Sequence, residues 1–427
     1  MRMRIDGARV VDPSNGIDAV KDVFIADGRV QGIGRMPDGF EAERSLDASG
    51  LTLIPGIVDL RARLREPGAE HKATIASESR AAARGGITTL CCPPDTDPII
   101  DTPAVAELIH QRAATASLTR VEVLGALTRE LDGLNLAEMG ALKEAGCLGV
   151  SNALKPVSDT EVMRRAMEYA GTLGLTVFAH AEDPWLAKGR LVHDGPVATR
   201  LGLPGIPEIA ESIGVARELL LVEQTGTRVH FCHLSTGPAV DMIRDARAHG
   251  LPVSADVAIH QLLLTEEDVD SFDSLCHVRP PVRSHDDRDR LRAGVRAGVL
   301  GCICSDHQPH EVDAKLNPFP ETEPGISGLD SLLSLVLGLV EEQELTLSAA
   351  VTALTSGPAE ALGIDRGTLS VGAVADVCVF DPAERWVLDD ANILSRGHNT
   401  PFRGRNLKGR VRYTLLEGRP VFEAPTA

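Results

Sequence analysis

Up to about residue 50 the apolar positions come in short stretches broken by turn residues: ARVVD, a PSNG turn, then DVFIADGRVQGIG, where Asp27-Gly28 marks a hairpin. From Leu51 the texture changes. Eight apolar runs follow, LTLIPGIVDL, ITTLCCP, VEVLGAL, LGVS, LTVFAHAE, RVHFCHLS, LPVSADV and VLGCICSDH, separated by Ala/Glu/Arg-rich stretches such as KATIASESRAAARGG and PAVAELIHQRAATA. Runs without polar alternation are strands buried on both faces, so the alternation predicts a parallel sheet, and eight repeats predict an α/β fold of the TIM-like (β/α)8 type. After Ile364 short strands return in GTLSVGAVADVCVFD, RWVLD and GRVRYTLLEGRPVFE, with Glu417-Gly418 turning a hairpin. The expected organisation is a small β-sandwich domain built from residues 1–50 and 365–427, with a barrel of residues 51–364 inserted between its halves. The segment NPFPETEPGISG, residues 317–328, reads as a loop at the mouth of the last barrel strand.

Charge narrows the partners. With 43 Lys and Arg against 61 Asp and Glu, the net charge of -18 repels a phosphate backbone. Phe 9, Trp 2 and Tyr 2 leave few platforms for stacked bases, so no nucleic acid is expected. No apolar run reaches the roughly 18 residues of a membrane span, and MRMRIDGARVVDPSNG meets charge and turn residues before any signal-like stretch. The expectation is a cytoplasmic chain with no membrane contact. Its 8 cysteines form no CxxC pair and sit mostly in apolar runs, as reduced core thiols would.

Barrel chemistry gathers where strands end and loops begin. The polar residues there are Arg61, Arg63 and Arg65 after PGIVDL, Asp95 in CCPPDTDP, Asn152 after LGVS, His180 after LTVFA, His233 after RVHFC, and Asp306, His307 and His310 in CSDHQPH. A lone histidine at a strand end is more often structural than ligating. Two at successive strand ends with a downstream Asp bring a divalent-metal site level with that reading.

The motifs PGIVDLRARLREPG, CCPPDTDP, HAED, HFCHLST, CSDHQPH and PGISG, in this order across essentially the whole chain, resemble those of the dihydroorotases of the amidohydrolase superfamily. The resemblance implies a zinc centre held by a first-strand HxH, an Asp or carboxylated Lys, two later His and a final Asp. It also implies reversible cyclisation of carbamoyl aspartate to dihydroorotate, with zinc-bound hydroxide as nucleophile and the final Asp handling the proton. Carried across residue by residue, the HxH positions are Arg61 and Arg63, permanently charged groups with donors only, which cannot ligate zinc. The bridging carboxylate falls in Ser151-Asn152-Ala153-Leu154, where no Asp remains. His180, His233 and Asp306, the acid/base position, persist, as do Arg65, matching the carboxylate-binding arginine, and His310. Asp95 and Arg279 stand where the family has Asn, and Asp95 is expected to repel an anionic substrate. Arg61 or Arg63 is expected to pair with Asp306 in place of the metals, and Lys155 to be a surface lysine rather than a carboxylated ligand.

The expectation is a dihydroorotase-like pseudoenzyme of pyrimidine biosynthesis, with no metal, cofactor or catalytic residue. The resemblance implies an oligomeric chain that assembles with the catalytic subunit of aspartate transcarbamoylase. Two alternatives stand beside it. One is an active cyclic amidohydrolase using a single zinc on His180, His233 and Asp306, or no metal and Asp306 as general base. The other is an anion-binding sensor built on Arg61, Arg63, Arg65 and Arg279.

Overall fold

A computed structural model describes residues 1–425. Eight parallel strands, Ile57–Asp59, Ile87–Cys92, Arg120–Ala126, Gly149–Ser151, Thr176–Ala179, Val229–Phe231, Val253–Ala258 and Cys302–Cys304, neighbour one another in chain order. They are the first to eighth barrel strands. Helices such as Ile75–Arg84, Pro103–Ala116, Thr160–Thr172, Ile209–Thr225 and Gly237–Ala248 lie between them. This is the expected amidohydrolase-type barrel.

Closure happens beyond the regular strands. Ala62 bridges His307 in parallel, with Arg63 N donating to His307 O at 2.9 Å and His307 N to Arg61 O at 3.1 Å. Ala62 N donates to Cys91 O on the second strand at 3.0 Å. In an extended chain neighbouring side chains alternate between faces, so with Ala62 between them Arg61 and Arg63 share a face. Asp59 ties the same two edges together one layer deeper. It accepts from Ser305 N at 2.9 Å and from the Ser305 hydroxyl, and burial pushes its carboxyl up to about 6 against those hydrogen bonds.

Both chain ends meet in one eight-stranded sheet, ordered Arg419–Glu423, Asn406–Leu416, Val377–Val387, Thr52–Pro55, Arg2–Asp12, Ile17–Ala26 and Arg29–Ile33, with Arg44–Asp47 also paired to Arg2–Asp12. The two hairpin signals turn as their residues demand. Asp27 and Gly28 take φ of 51° and 73°, and Glu417 and Gly418 take 52° and 69°. The run LTLIPGIVDL, read as one strand, is two: Thr52–Pro55 joins the terminal sheet and Ile57–Asp59 the barrel. Gly56 makes the break. A Cβ there would lie 2.3 Å from Thr88 Oγ1. An apolar run buried on both sides carries no periodic mark of such a change of sheet. All eight cysteines are free and buried, and no helix among the described residues is long and apolar enough to cross a membrane.

Candidate active site

The strand ends bring most of the expected residues together. Arg61 Nε lies 3.0 Å from Asp306 Oδ1, and Arg63 Nη1 lies 3.5 Å from the same oxygen. Arg63 also sends Nε to Asp95 Oδ2 at 2.8 Å. Only 4% and 5% of the side-chain surface of Arg61 and Arg63, and 1% of that of Asp306, reaches solvent. Burial alone would push the Arg61 guanidinium down, but Asp306 and more distant acids outweigh it and hold the group above its ordinary value.

His180 and His233 face each other as stacked rings, centroids 4.9 Å apart, and share a hydrogen bond between His180 Nδ1 and His233 Nε2 at 2.8 Å. One of those nitrogens must carry the proton, so at least one lone pair of the pair is directed at a neighbouring ring. Burial, then Arg61 and His180, push the His233 imidazole far below its usual range, so it stays neutral. Its backbone is held at φ 41° by Asp256 Oδ1, which accepts from His233 N at 2.6 Å. On the other side His180 Nε2 sits 3.7 Å from Glu182 Oε1, and Glu182 is bound by Arg279. Burial raises the Glu182 carboxyl, yet His180 and Arg279 bring it down to about 2.

Arg65 turns away from this cluster. With φ of 62° it donates Nε to Pro309 O at 3.0 Å and places Nη2 3.1 Å from His310 Nε2. Lys72 Nζ lies 3.2 Å from His310 Nδ1 and donates to Glu323 Oε2 at 2.6 Å. Burial, then Arg65 and Lys72, depress His310 to about 2, so it too is neutral. A cleft of about 210 Å³ opens beside these residues, lined by Arg63, Arg65, Cys92, Asp95 and Thr96 among others.

Two sites differ from the sequence reading. Asp95 does not stand free to repel an anion, because Arg63 takes its carboxylate; burial raises this carboxyl, and Arg63 and Arg61 bring it below the usual range. Asn152 is absent from the cluster. Its Oδ1 accepts from Thr128 Oγ1 at 2.7 Å, and its Nδ2 donates to Lys155 O at 2.9 Å and Leu131 O at 3.4 Å. That side chain pins the loop after the fourth strand, which turns at Ala153 with φ 51°. Lys155 is exposed. Glu182, Lys72 and His260 were missed. Glu182 follows His180 by two residues in HAED and could have been read from that spacing. His260, buried with both ring nitrogens unpartnered, gives no such signal in AIHQLL.

Whether a zinc ion fits is a question of donors. Arg61 and Arg63 offer none, Asn152 is committed to its loop, Asp306 is taken up by two guanidiniums, and His180 and His233 spend one nitrogen each on the other, which leaves only His180 Nε2 and His233 Nδ1 unpartnered. The set does not fit a hydrolytic zinc centre. A second grouping of metal-type donors, His230, Cys232 and Asp256, lies buried inside the barrel. Hydrogen bonds account for it: His230 Nδ1 pairs with Ser254 Oγ at 2.8 Å and Nε2 with Asp256 Oδ2 at 2.9 Å, while burial pushes the Cys232 thiol far up and away from the thiolate a metal needs.

Residues 50–238 match the Dihydro-orotase-like family model. A dihydroorotase-like protein of Pseudomonas putida is 50% identical over 418 residues, 98% of each chain. The chain belongs to the dihydroorotase-like family. A second dihydroorotase-like protein, from Pseudomonas aeruginosa, is 48% identical across 99% of this chain and 100% of its own. A Geobacter protein named dihydroorotase is 45% identical over the same shares. Residues 323–422 match the Amidohydrolase family model. Among solved structures, L-hydantoinase (dihydropyrimidinase) of Arthrobacter aurescens superposes with a TM-score of 0.88 over 99% of this chain and 96% of that one. At 24% identity it shows the shared fold alone.

Proposed function

We propose that this dihydroorotase-like protein has exchanged its metal for two arginines and no longer opens or closes the dihydroorotate ring. Its role in pyrimidine biosynthesis is then architectural: an oligomeric, cytosolic assembly partner of the aspartate transcarbamoylase catalytic subunit. The observation that carries the loss of chemistry is the buried contact of both Arg61 and Arg63 with one oxygen of Asp306. A carboxylate oxygen held between two guanidiniums is occupied as a counter-ion, where a metal ligand or general base would need it open. The partnership is supported by the motif resemblance, and the loss of ring chemistry also by relatives named dihydroorotase-like rather than dihydroorotase at 50% and 48% identity.

The test has two arms. Purified protein supplied with zinc should show no ring opening of dihydroorotate, and mixing it with the transcarbamoylase catalytic chain should yield one complex by light scattering. Turnover that a chelator abolishes overturns the first arm; two separate peaks overturn the second.

One observation favours a second reading, anion binding: Nη2 of Arg61 and of Arg63 are buried with no acceptor. A carboxylate ligand there would raise the unfolding temperature, by about 2.7 kcal/mol of added stability at a hundredfold its Kd.

A further inference from the structure

The helix Ile209–Thr225 carries apolar residues on its outer as well as its inner face. Its inner face packs against the barrel, yet Leu220 is 66% exposed, Ile209 52% and Ile213 41%. Those three stand four and then seven residues apart, on one face of the helix. Beside them, between this helix and Gly237–Ala248, runs a groove of about 660 Å³ lined by Leu219, Met242 and Leu251, with Leu220 at its edge. Glu223 on one helix and Asp245 on the other line it together with His249, and neither carboxylate is ion-paired among the described residues. Two other acids of these helices are paired, Asp241 with Arg244 and Arg290 and Glu218 with Arg217.

We infer that this groove docks an amphipathic helix of a partner chain, one with an apolar stripe flanked by basic residues. A furrow between two helices receives the side-chain ridge of a third, and an exposed leucine at its edge is the kind of anchor such a ridge buries. The unpaired carboxylates set the partner's charge. A two-fold contact with a second copy of this chain would bring Glu223 and Asp245 against the same acids, whereas Lys or Arg flanking the incoming stripe would neutralise both. The inference rests on the partnership proposed above and assigns it a surface, on the barrel wall away from the arginine cluster.

The test uses the full-length protein and the purified aspartate transcarbamoylase catalytic chain. Leu220→Asp and the pair Glu223→Lys with Asp245→Lys alter exposed side chains, so both variants should keep the wild-type unfolding temperature. Each should raise the Kd about tenfold or more. An unchanged Kd in Leu220→Asp overturns the groove while leaving the partnership intact. Weakening by Leu220→Asp alone, without an effect of the charge reversals, overturns the basic flank. No complex with the wild-type protein overturns the partnership and this occupant with it. A fall in the native mass of the isolated protein on Leu220→Asp makes a second copy the occupant and also overturns the proposal.

Discussion

Replacing Asp306 by Asn removes one charge from a site where two guanidiniums share it. At 3.0 and 3.5 Å the attraction to Arg61 and Arg63 is about 5 kcal/mol each at an effective dielectric near 20, and the cost of burying three ions offsets much of it. What remains after removal decides the outcome. Arg63 keeps Asp95, but Arg61, at 4% side-chain exposure and with Nη2 already lacking an acceptor, is left without a close counter-charge. Stranding a buried charge in this way costs about 3–5 kcal/mol. Urea unfolding should show the loss as a midpoint about 1 M lower, since a chain of this size has an m-value of about 3 kcal/mol/M or more. Adding Arg61→Met to Asp306→Asn should recover most of it, because the orphaned charge goes too. A loss under about 1 kcal/mol, or no recovery in the double variant, would refute the claim that Asp306 serves as counter-ion to the arginines.

Returning histidine to both positions, Arg61→His with Arg63→His, should create zinc affinity measurable by titration, since two imidazoles rejoin His180, His233 and Asp306. Adding Asn152→Asp should gain no affinity and cost about 1–3 kcal/mol in thermal unfolding, because it deprives Lys155 O and Leu131 O of their donor. Glu218 supplies a pH dependence. Burial lifts its carboxyl from 4.5 to about 7, with Arg217 only partly opposing. The folded state holds this proton more tightly than the unfolded one, so the stabilising contribution is complete below about pH 4.5 and is lost as pH rises through about 7. Glu218→Gln should therefore gain up to about 3 kcal/mol on the wild type between pH 5 and pH 8 in denaturant unfolding. An unchanged difference across that range contradicts the assignment.

The barrel was legible because its strands are buried on both faces and end abruptly at polar residues, which made Arg61, Arg63, His180, His233 and Asp306 visible as strand-end groups. What each side chain binds was less legible, because it depends on strands distant in sequence. Asp95 looked like a free anion until Arg63, thirty-two residues earlier, was seen to hold it. Asn152 occupies a ligand's position in the chain, but the left-handed turn at Ala153 folds the loop back and spends its amide on two carbonyls. His260 belongs beside the cluster only because the seventh strand ends there. The split at Gly56 stayed hidden for the converse reason, since two sheets demand the same apolar residues.

The most direct test of the account is a zinc-edge anomalous difference map from crystals of the wild-type protein grown with excess zinc. The account predicts no peak among His180, His233 and Asp306, with Arg61 Nε still at hydrogen-bonding distance from Asp306. A peak there, bonded to Asp306 and the two imidazoles with both guanidiniums displaced, would contradict it.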